Sequence, residues 1–196
     1  MSTQATFYFD PACPFTWRTS RWLTAVAPER DVRVTWHAFS LSILNGGQTP
    51  EEYRPVMAAS SRALRLVEAL AADGRHDDVA AFYTELGNRT FEAGDRLTDD
   101  IVLAAAEAAG VEDPKAVLDD ESWDDAVRTS HDQAFGSAGP DIGSPVLEVE
   151  GAPRGVHGPI IGADATPGRE EALAIWDAVV PLARSSAFFE LKRGRG

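Results

Sequence analysis

The stretch "ATFYFDPACPFTWRTSRWLTAVA", residues 5–27, constrains the fold more than any other part of the chain. Residues 5–10 have the aromatic richness of a buried strand. "DPACP" turns the chain, and Pro14 suits the first position of a helix, where a missing N–H costs nothing. That helix sets Trp17, Trp22, Leu23 and Val26 along one side at three- and four-residue spacings. A second strand is expected in "DVRVTWHAF", where Val32, Val34 and Trp36 alternate with Arg33, Thr35 and His37. Strand, helix and strand in about 35 residues is the length of one βαβ unit.

From Thr49 to about Ala138 the pattern is helical. Thr49, Pro50 and Glu52 read as N-cap, first helical residue and capping box. Pro55 conflicts with one unbroken helix there and predicts a kink or a late start. Val79, Phe82, Tyr83 and Leu86 form an apolar face, with Gly94 as the stop. Thr98 caps a helix running to Gly110, Asp113 caps a short one, and "ESWDDAVRTSHDQAF" follows. After the Gly/Pro-rich "GSAGPDIGSP", strands are expected at about 145–150 and 155–161, joined through Gly151. A last helix is capped by Thr166, with Pro167 next. The order is βαβ, a helical block, then ββα.

With 196 residues the chain suits one domain, or one domain with a large insertion. The 18 basic against 31 acidic residues give −13, a balance that repels nucleic acid and anionic membranes. The basic tail "ELKRGRG" reads as a solvated terminus. No apolar run approaches the roughly 20 residues that span a bilayer. One cysteine excludes an internal disulfide and fits a reducing compartment. Residues 1–10 lack the basic and apolar regions of a signal peptide, so a cytoplasmic location is expected. His37, His76, His131 and His157 have no metal-ligand spacing, and no metal site is expected. The Asp pairs 77–78, 99–100, 119–120 and 124–125 read as first-turn carboxylates at the positive ends of helix dipoles.

Cys13 stands after a strand and immediately before a helix. Helix-start N–H groups and the helix dipole favour a thiolate over a thiol, which makes the sulfur a nucleophile. Thr16, one turn on, can hydrogen-bond the thiolate without acting as a second redox centre. The alternative for a lone cysteine is a small inert core residue.

Strand, Cys-Pro-x-x, helix, strand, helical block and a Ser-Pro opening ββα resemble a thioredoxin fold with the helical insertion of DsbA. "FDPACPFTW", "TSRWL", "SLSILNGG", "EEYR", "SHDQAF", "DIGSP", "GPII" and "FFELKR" resemble one branch, the mycothiol-dependent nitroreductases of high-GC bacteria. The resemblance implies an α/β thioredoxin-like domain from 1–44 and 139–196, with a helical insertion at 45–138. It implies a nucleophile at Cys13, with Thr16 the second residue expected to serve catalysis. It further implies a thiol- or substrate-binding set of Pro14, Phe15, Trp17, Asn45, Ser144 and Pro145, the last in a cis peptide. Thr16 stands where dithiol members carry a resolving cysteine, Phe91 where a family histidine falls, and "GSAGPD" replaces the usual loop before Pro145.

Without a resolving thiol, the expected activity is monothiol thiol–disulfide exchange. Its co-substrate is a low-molecular-weight thiol such as mycothiol or glutathione, with no tightly bound cofactor. The expected partners are that thiol and a disulfide or electrophile, with a homodimer left open. One rival is a kappa-class glutathione transferase or 2-hydroxychromene-2-carboxylate isomerase, which carry serine where Cys13 stands. The other is a non-catalytic binding module on the same fold.

Overall fold

A computed structural model describes residues 2–162 and 167–194. Strand β1 (Thr3–Phe9) lies inside a four-stranded sheet of order β2-β1-β3-β4. It pairs in parallel with β2 (Val32–Ala38), from Thr3 opposite Val32 to Phe9 opposite Ala38. On its other side it runs antiparallel to β3 (Val146–Val149), which pairs with the short β4 (Val156–His157). Helix α1 (Pro14–Val26) makes the β1–β2 crossover, and α8 (Arg169–Ala183) closes the chain. The Trp22 and Trp176 rings, 6.0 Å apart, join these two helices, and Trp22 Nε1 donates to the Ala172 carbonyl at 3.0 Å. This is an α/β thioredoxin fold, βαβ followed by ββα.

Between β2 and β3 lie α2 (Leu41–Asn45), α3 (Arg54–Ala72), α4 (His76–Gly87), α5 (Asp99–Ala108), α6 (Pro114–Leu118) and α7 (Asp124–Ala138). Their core meets that of the sheet at Tyr83, whose ring stacks on Phe9 at 4.1 Å and lies 6.4 Å from Trp36.

Several boundaries differ from expectation for local reasons. Helix α3 starts at Arg54, after a 3₁₀ turn at Glu51–Tyr53, rather than beside Thr49. Pro55 is tolerated only in a first turn, so it sets the start. Helix α4 passes into a π turn at Asn88–Glu92 before Gly94, whose φ is 82°. Asp113 precedes α6 with φ 42° and makes no side-chain cap. Thr98 does cap α5, its hydroxyl accepting from Ile101 N at 3.4 Å. Asp119 and Asp120 fall between helices: Asp120 accepts from Ser122 N at 2.9 Å, and Asp119 pairs with Arg62 and Lys115. Strand β4 is shorter than expected because Pro159 has no N–H to continue the ladder. Helix α8 begins after Gly168, and Thr166 lies outside the described residues. Among the described residues no helix is long and apolar enough to cross a membrane.

An edge strand leaves alternate N–H groups unpaired, a liability in any sheet. On the outer edge of β2 and just past its end, side chains from three helices accept them. Trp36 N donates to His76 Nδ1 at 3.2 Å, Ala38 N to Glu68 Oε1 at 2.6 Å, and Ser40 N to His131 Nδ1 at 3.2 Å. His37 turns to the same Glu68, its Nδ1 3.4 Å from Oε2.

Each accepting imidazole nitrogen must be unprotonated. Burial holds both histidines below the ordinary histidine value, and His37 adds to this at His76. The unfolded chain therefore takes up protons on these two residues first. Their contribution is complete above the unfolded value of about 6.5 and lost as pH falls toward the lower folded values. Asp10, held above its ordinary value by burial, acts in the opposite sense: its contribution is complete below the unfolded value and lost as pH rises toward the raised folded one. Thermal melts at pH 7.5 and 5.5 should show wild type losing more stability than the His76→Gln, His131→Gln double variant. Equal losses would show that the two histidines do not carry the effect.

Candidate active site

The turn after β1 is built by Asp10. Its Oδ1 accepts from Ala12 N at 2.8 Å, the two-residue reach of an Asx turn. Its backbone carbonyl accepts from Cys13 N at 3.1 Å. Cys13 then takes the N-cap position of α1 with φ −92° and ψ 113°, and its side chain makes no capping bond. Pro14 follows at the helix start, as its fixed φ predicts, and is exposed. The Cys13 side chain is nearly covered, with 8% of the residue exposed.

Its sulfur faces the loop that enters β3. Cys13 Sγ lies 3.5 Å from the Ser144 carbonyl oxygen, and in its thiol form donates to it. The Ser144–Pro145 peptide is cis, and the Pro145 carbonyl accepts from Gly158 N at 3.1 Å and lies 2.9 Å from His157 Nδ1. Thr16 differs from expectation: its buried hydroxyl donates to Ser144 Oγ at 2.8 Å, so its proton is spent on the facing loop rather than on the sulfur. Ser144 Oγ also accepts from Asp10 N at 2.9 Å. Cys13, Thr16 and Ser144 thus form one contiguous group with Pro145 beside them.

Of the remaining expected residues, Phe15 and Trp17 follow in the first turn of α1, whereas Asn45 lies at the end of α2. Phe15 is half-buried, with the Arg18 guanidinium 5.7 Å from its ring. Trp17 is buried and held on several sides. Its Nε1 donates to Glu92 Oε1 at 2.8 Å, the Arg21 guanidinium lies 4.1 Å over its ring, and Phe91 stacks at 6.0 Å. Asn45 ends α2 and is exposed, its carbonyl accepting from Gln48 N at 2.9 Å.

Two side chains at this site escaped the sequence reading. Tyr83 is 1% exposed, and its hydroxyl has no hydrogen-bond partner among the described residues. Ser20 is beside it but donates its own proton to the Trp17 carbonyl at 2.7 Å. Burial, with the neighbouring Cys13, pushes the Tyr83 phenol well above its usual range. The apolar face containing Tyr83 was legible as helix periodicity; its approach to Cys13 was not. Asp10 is 1% exposed, and burial pushes its carboxyl upward against hydrogen bonds from Ser60, Leu41 and Ala12. The available signal was the Asp-Pro at the strand end.

Chemically the arrangement presents one sulfur at a helix start, against a loop carbonyl. No group of three or more His, Cys, Asp or Glu suited to a metal ion occurs among the described residues.

Comparison with known proteins agrees with this architecture. The sequence model of the family described as "Rv2466c-like: mycothiol-dependent nitroreductase Rv2466c" matches residues 12–193. The chain is 28% identical over 197 residues to the uncharacterized protein Rv2286c of Mycobacterium tuberculosis, covering 97% of this chain and 82% of that protein. The crystal structure of the probable DsbA oxidoreductase SCO1869 from Streptomyces coelicolor superposes with a TM-score of 0.57 at 20% identity, covering 98% of this chain and 94% of that one. A 2-hydroxychromene-2-carboxylate isomerase does so with a TM-score of 0.57 at 17% identity, covering 92% and 96%. At these identities the two structures show a shared fold, the DsbA-like thioredoxin fold with its helical block.

Proposed function

Because the chain belongs to the Rv2466c-like family of mycothiol-dependent nitroreductases, we propose that it is a thiol–disulfide oxidoreductase with one working thiol, Cys13. Its co-substrate is a low-molecular-weight thiol of the mycothiol or glutathione kind. The observation that carries this reading is Cys13 at the N-cap of α1, with its sulfur 3.5 Å from the Ser144 carbonyl.

The Cys13 thiolate attacks one sulfur of a disulfide RS–SR: the S–S bond breaks, Cys13–S–S–R forms, and RS⁻ leaves. A second small thiolate then attacks the R sulfur, a new disulfide departs, and the Cys13 thiolate is restored. Electrons balance because every disulfide consumed is matched by one released. A dithiol relative closes its own bridge in the second step; with Thr16 at that place, the second thiol comes from solution. The loop at Ser144 and Pro145, facing the sulfur, is where the backbone of a thiol-bearing substrate would pair by strand addition. Pro14, Phe15, Trp17 and Asn45 complete the proposed binding set.

The test is intact mass after incubation with oxidised mycothiol or oxidised glutathione. A single mixed-disulfide adduct, located at Cys13 and released by the reduced thiol, is expected. An unmodified chain with both reagents would reject the reading.

The same geometry predicts the outcome of Thr16→Cys. Cys13 and Thr16 are one helical turn apart, and both side chains turn toward Ser144. Mild oxidation of that variant should close an internal disulfide, with loss of two hydrogens in mass and no titratable thiol. Two persistent free thiols would show that the pair cannot reach bonding geometry.

A further inference from the structure

We propose that Asp10 is a positioning residue of the Cys13 site, its carboxylate and backbone together holding the nucleophile turn, the Ser144 loop and the start of α2 in one arrangement. This rests on the reading of Cys13 as the nucleophile. Five hydrogen bonds carry the inference. Asp10 Oδ1 accepts from Ala12 N at 2.8 Å and from Ser60 Oγ of α3 at 2.6 Å, and Oδ2 accepts from Leu41 N at 2.7 Å. Asp10 N donates to Ser144 Oγ at 2.9 Å, and its carbonyl accepts from Cys13 N at 3.1 Å.

The partners at positions 12, 41, 60 and 144 come from four segments: the Cys13 turn, the start of α2, α3 and the loop before β3. Ala12 precedes the nucleophile. Leu41 opens the helix that ends at Asn45. Ser144 supplies the carbonyl facing the sulfur. A carboxylate can only accept, and here both its oxygens meet donors. The residue is 1% exposed, so the charge is removed from water, which is unfavourable unless those donors are retained. An apolar side chain would fill the space but would leave two backbone N–H groups unpaired. An amide cannot replace it either. With its nitrogen on the Oδ1 side it opposes Ala12 N–H, and on the Oδ2 side it opposes Leu41 N–H. Asp10→Asn therefore releases either the Cys13 turn or α2, whichever way the amide turns. Retaining the Ala12 and Ser60 bonds together makes release of α2 the favoured outcome.

The experiment compares wild type, Asp10→Asn and Ser60→Ala as full-length chains. Each is reacted with oxidised glutathione and with iodoacetamide, and amide hydrogen exchange is followed at Ala12 and Leu41. Misplacing a reacting group by an ångström can cost about 100-fold, whereas a compact alkylating reagent needs no groove. Asp10→Asn should slow mixed-disulfide formation by about tenfold or more, change alkylation by less than about threefold, and expose the Leu41 amide. Ser60→Ala should move the ratio of the two rates in the same direction by a smaller factor, with Leu41 still protected. Unchanged glutathione exchange in Asp10→Asn, or an equal fall in both reactions, would overturn the proposal. If Asp10→Asn does not fold, an unchanged rate ratio in Ser60→Ala overturns it. If wild type itself forms no adduct with either oxidised thiol, the proposed function fails. Leu41 protection in Asp10→Asn then still decides whether Asp10 holds the site together.

Discussion

Cys13→Ser should abolish thiol–disulfide exchange, by more than about 1,000-fold, the scale on which loss of a nucleophile acts. A serine hydroxyl is scarcely ionised at neutral pH and forms no disulfide. The fold should survive. Serine is close to cysteine in size, and its hydroxyl can go on donating to the Ser144 carbonyl that now accepts from the thiol. The site is 8% exposed, so the cost is the modest one of exchanging a thiol for a hydroxyl beside an existing acceptor. Circular dichroism and thermal melting should therefore match wild type while the mixed-disulfide adduct disappears. Turnover that persists in Cys13→Ser would point instead to activation of a bound thiol by a hydroxyl, the chemistry of a transferase.

Gly87→Ala should be strongly destabilising, although helix propensity alone predicts the opposite. Gly87 ends α4 with an ordinary helical conformation, where alanine is favoured by about 1 kcal/mol. A Cβ at Gly87 would lie 2.2 Å from Cε3 and Cζ3 of Trp17, far inside van der Waals contact. Trp17 has little freedom to yield: its indole N–H is bonded to Glu92, and the Arg21 guanidinium covers its ring. Overpacking of this kind costs about 1–3 kcal/mol, and the steric term outweighs the propensity gain. A melting temperature lower by several degrees is expected, about 2–4 °C for each kcal/mol at this chain length. Trp17→Leu in the same background should recover part of the loss, as a double-mutant cycle would record. An unchanged or raised melting temperature would mean that α1 and α4 separate at little cost. Trp17 sits one turn beyond Cys13, so the same substitution should also disturb exchange at the sulfur.

The polar reading of the sequence held at several local signals, failed at the expected Thr49 and Asp113 caps, and stopped where partners are distant. Pro14 at the head of α1, Thr98 capping α5 and the late start of α3 beside Pro55 follow from the φ, N–H and capping chemistry of single residues. Expected first-turn carboxylates occur at Asp77, Asp78, Asp99, Asp100, Asp124 and Asp125. The exceptions, Asp119 and Asp120, depended on where α6 ended and on Arg62 arriving from α3. Thr16 shows the same division: its place one turn past Cys13 was legible, whereas the partner of its hydroxyl was set by Ser144, 128 residues away.

What the sequence by itself determined is the order βαβ, helical block, ββα, and a single cysteine at the junction of the first strand and helix. Those follow from side-chain period and from proline and glycine, which act within a few residues. What only the tertiary structure decided is which groups meet that cysteine and the edge of the sheet. Asp10 became a buried acceptor for Ala12, Ser60 and Leu41, and two histidines and Glu68 came to cover the outer N–H groups of β2 and of Ser40 just past it. Folding must pair each buried polar group with whatever the packing of distant segments brings to it. A one-dimensional pattern records that the groups are present, but their partners exist only once helices and sheet have closed around them.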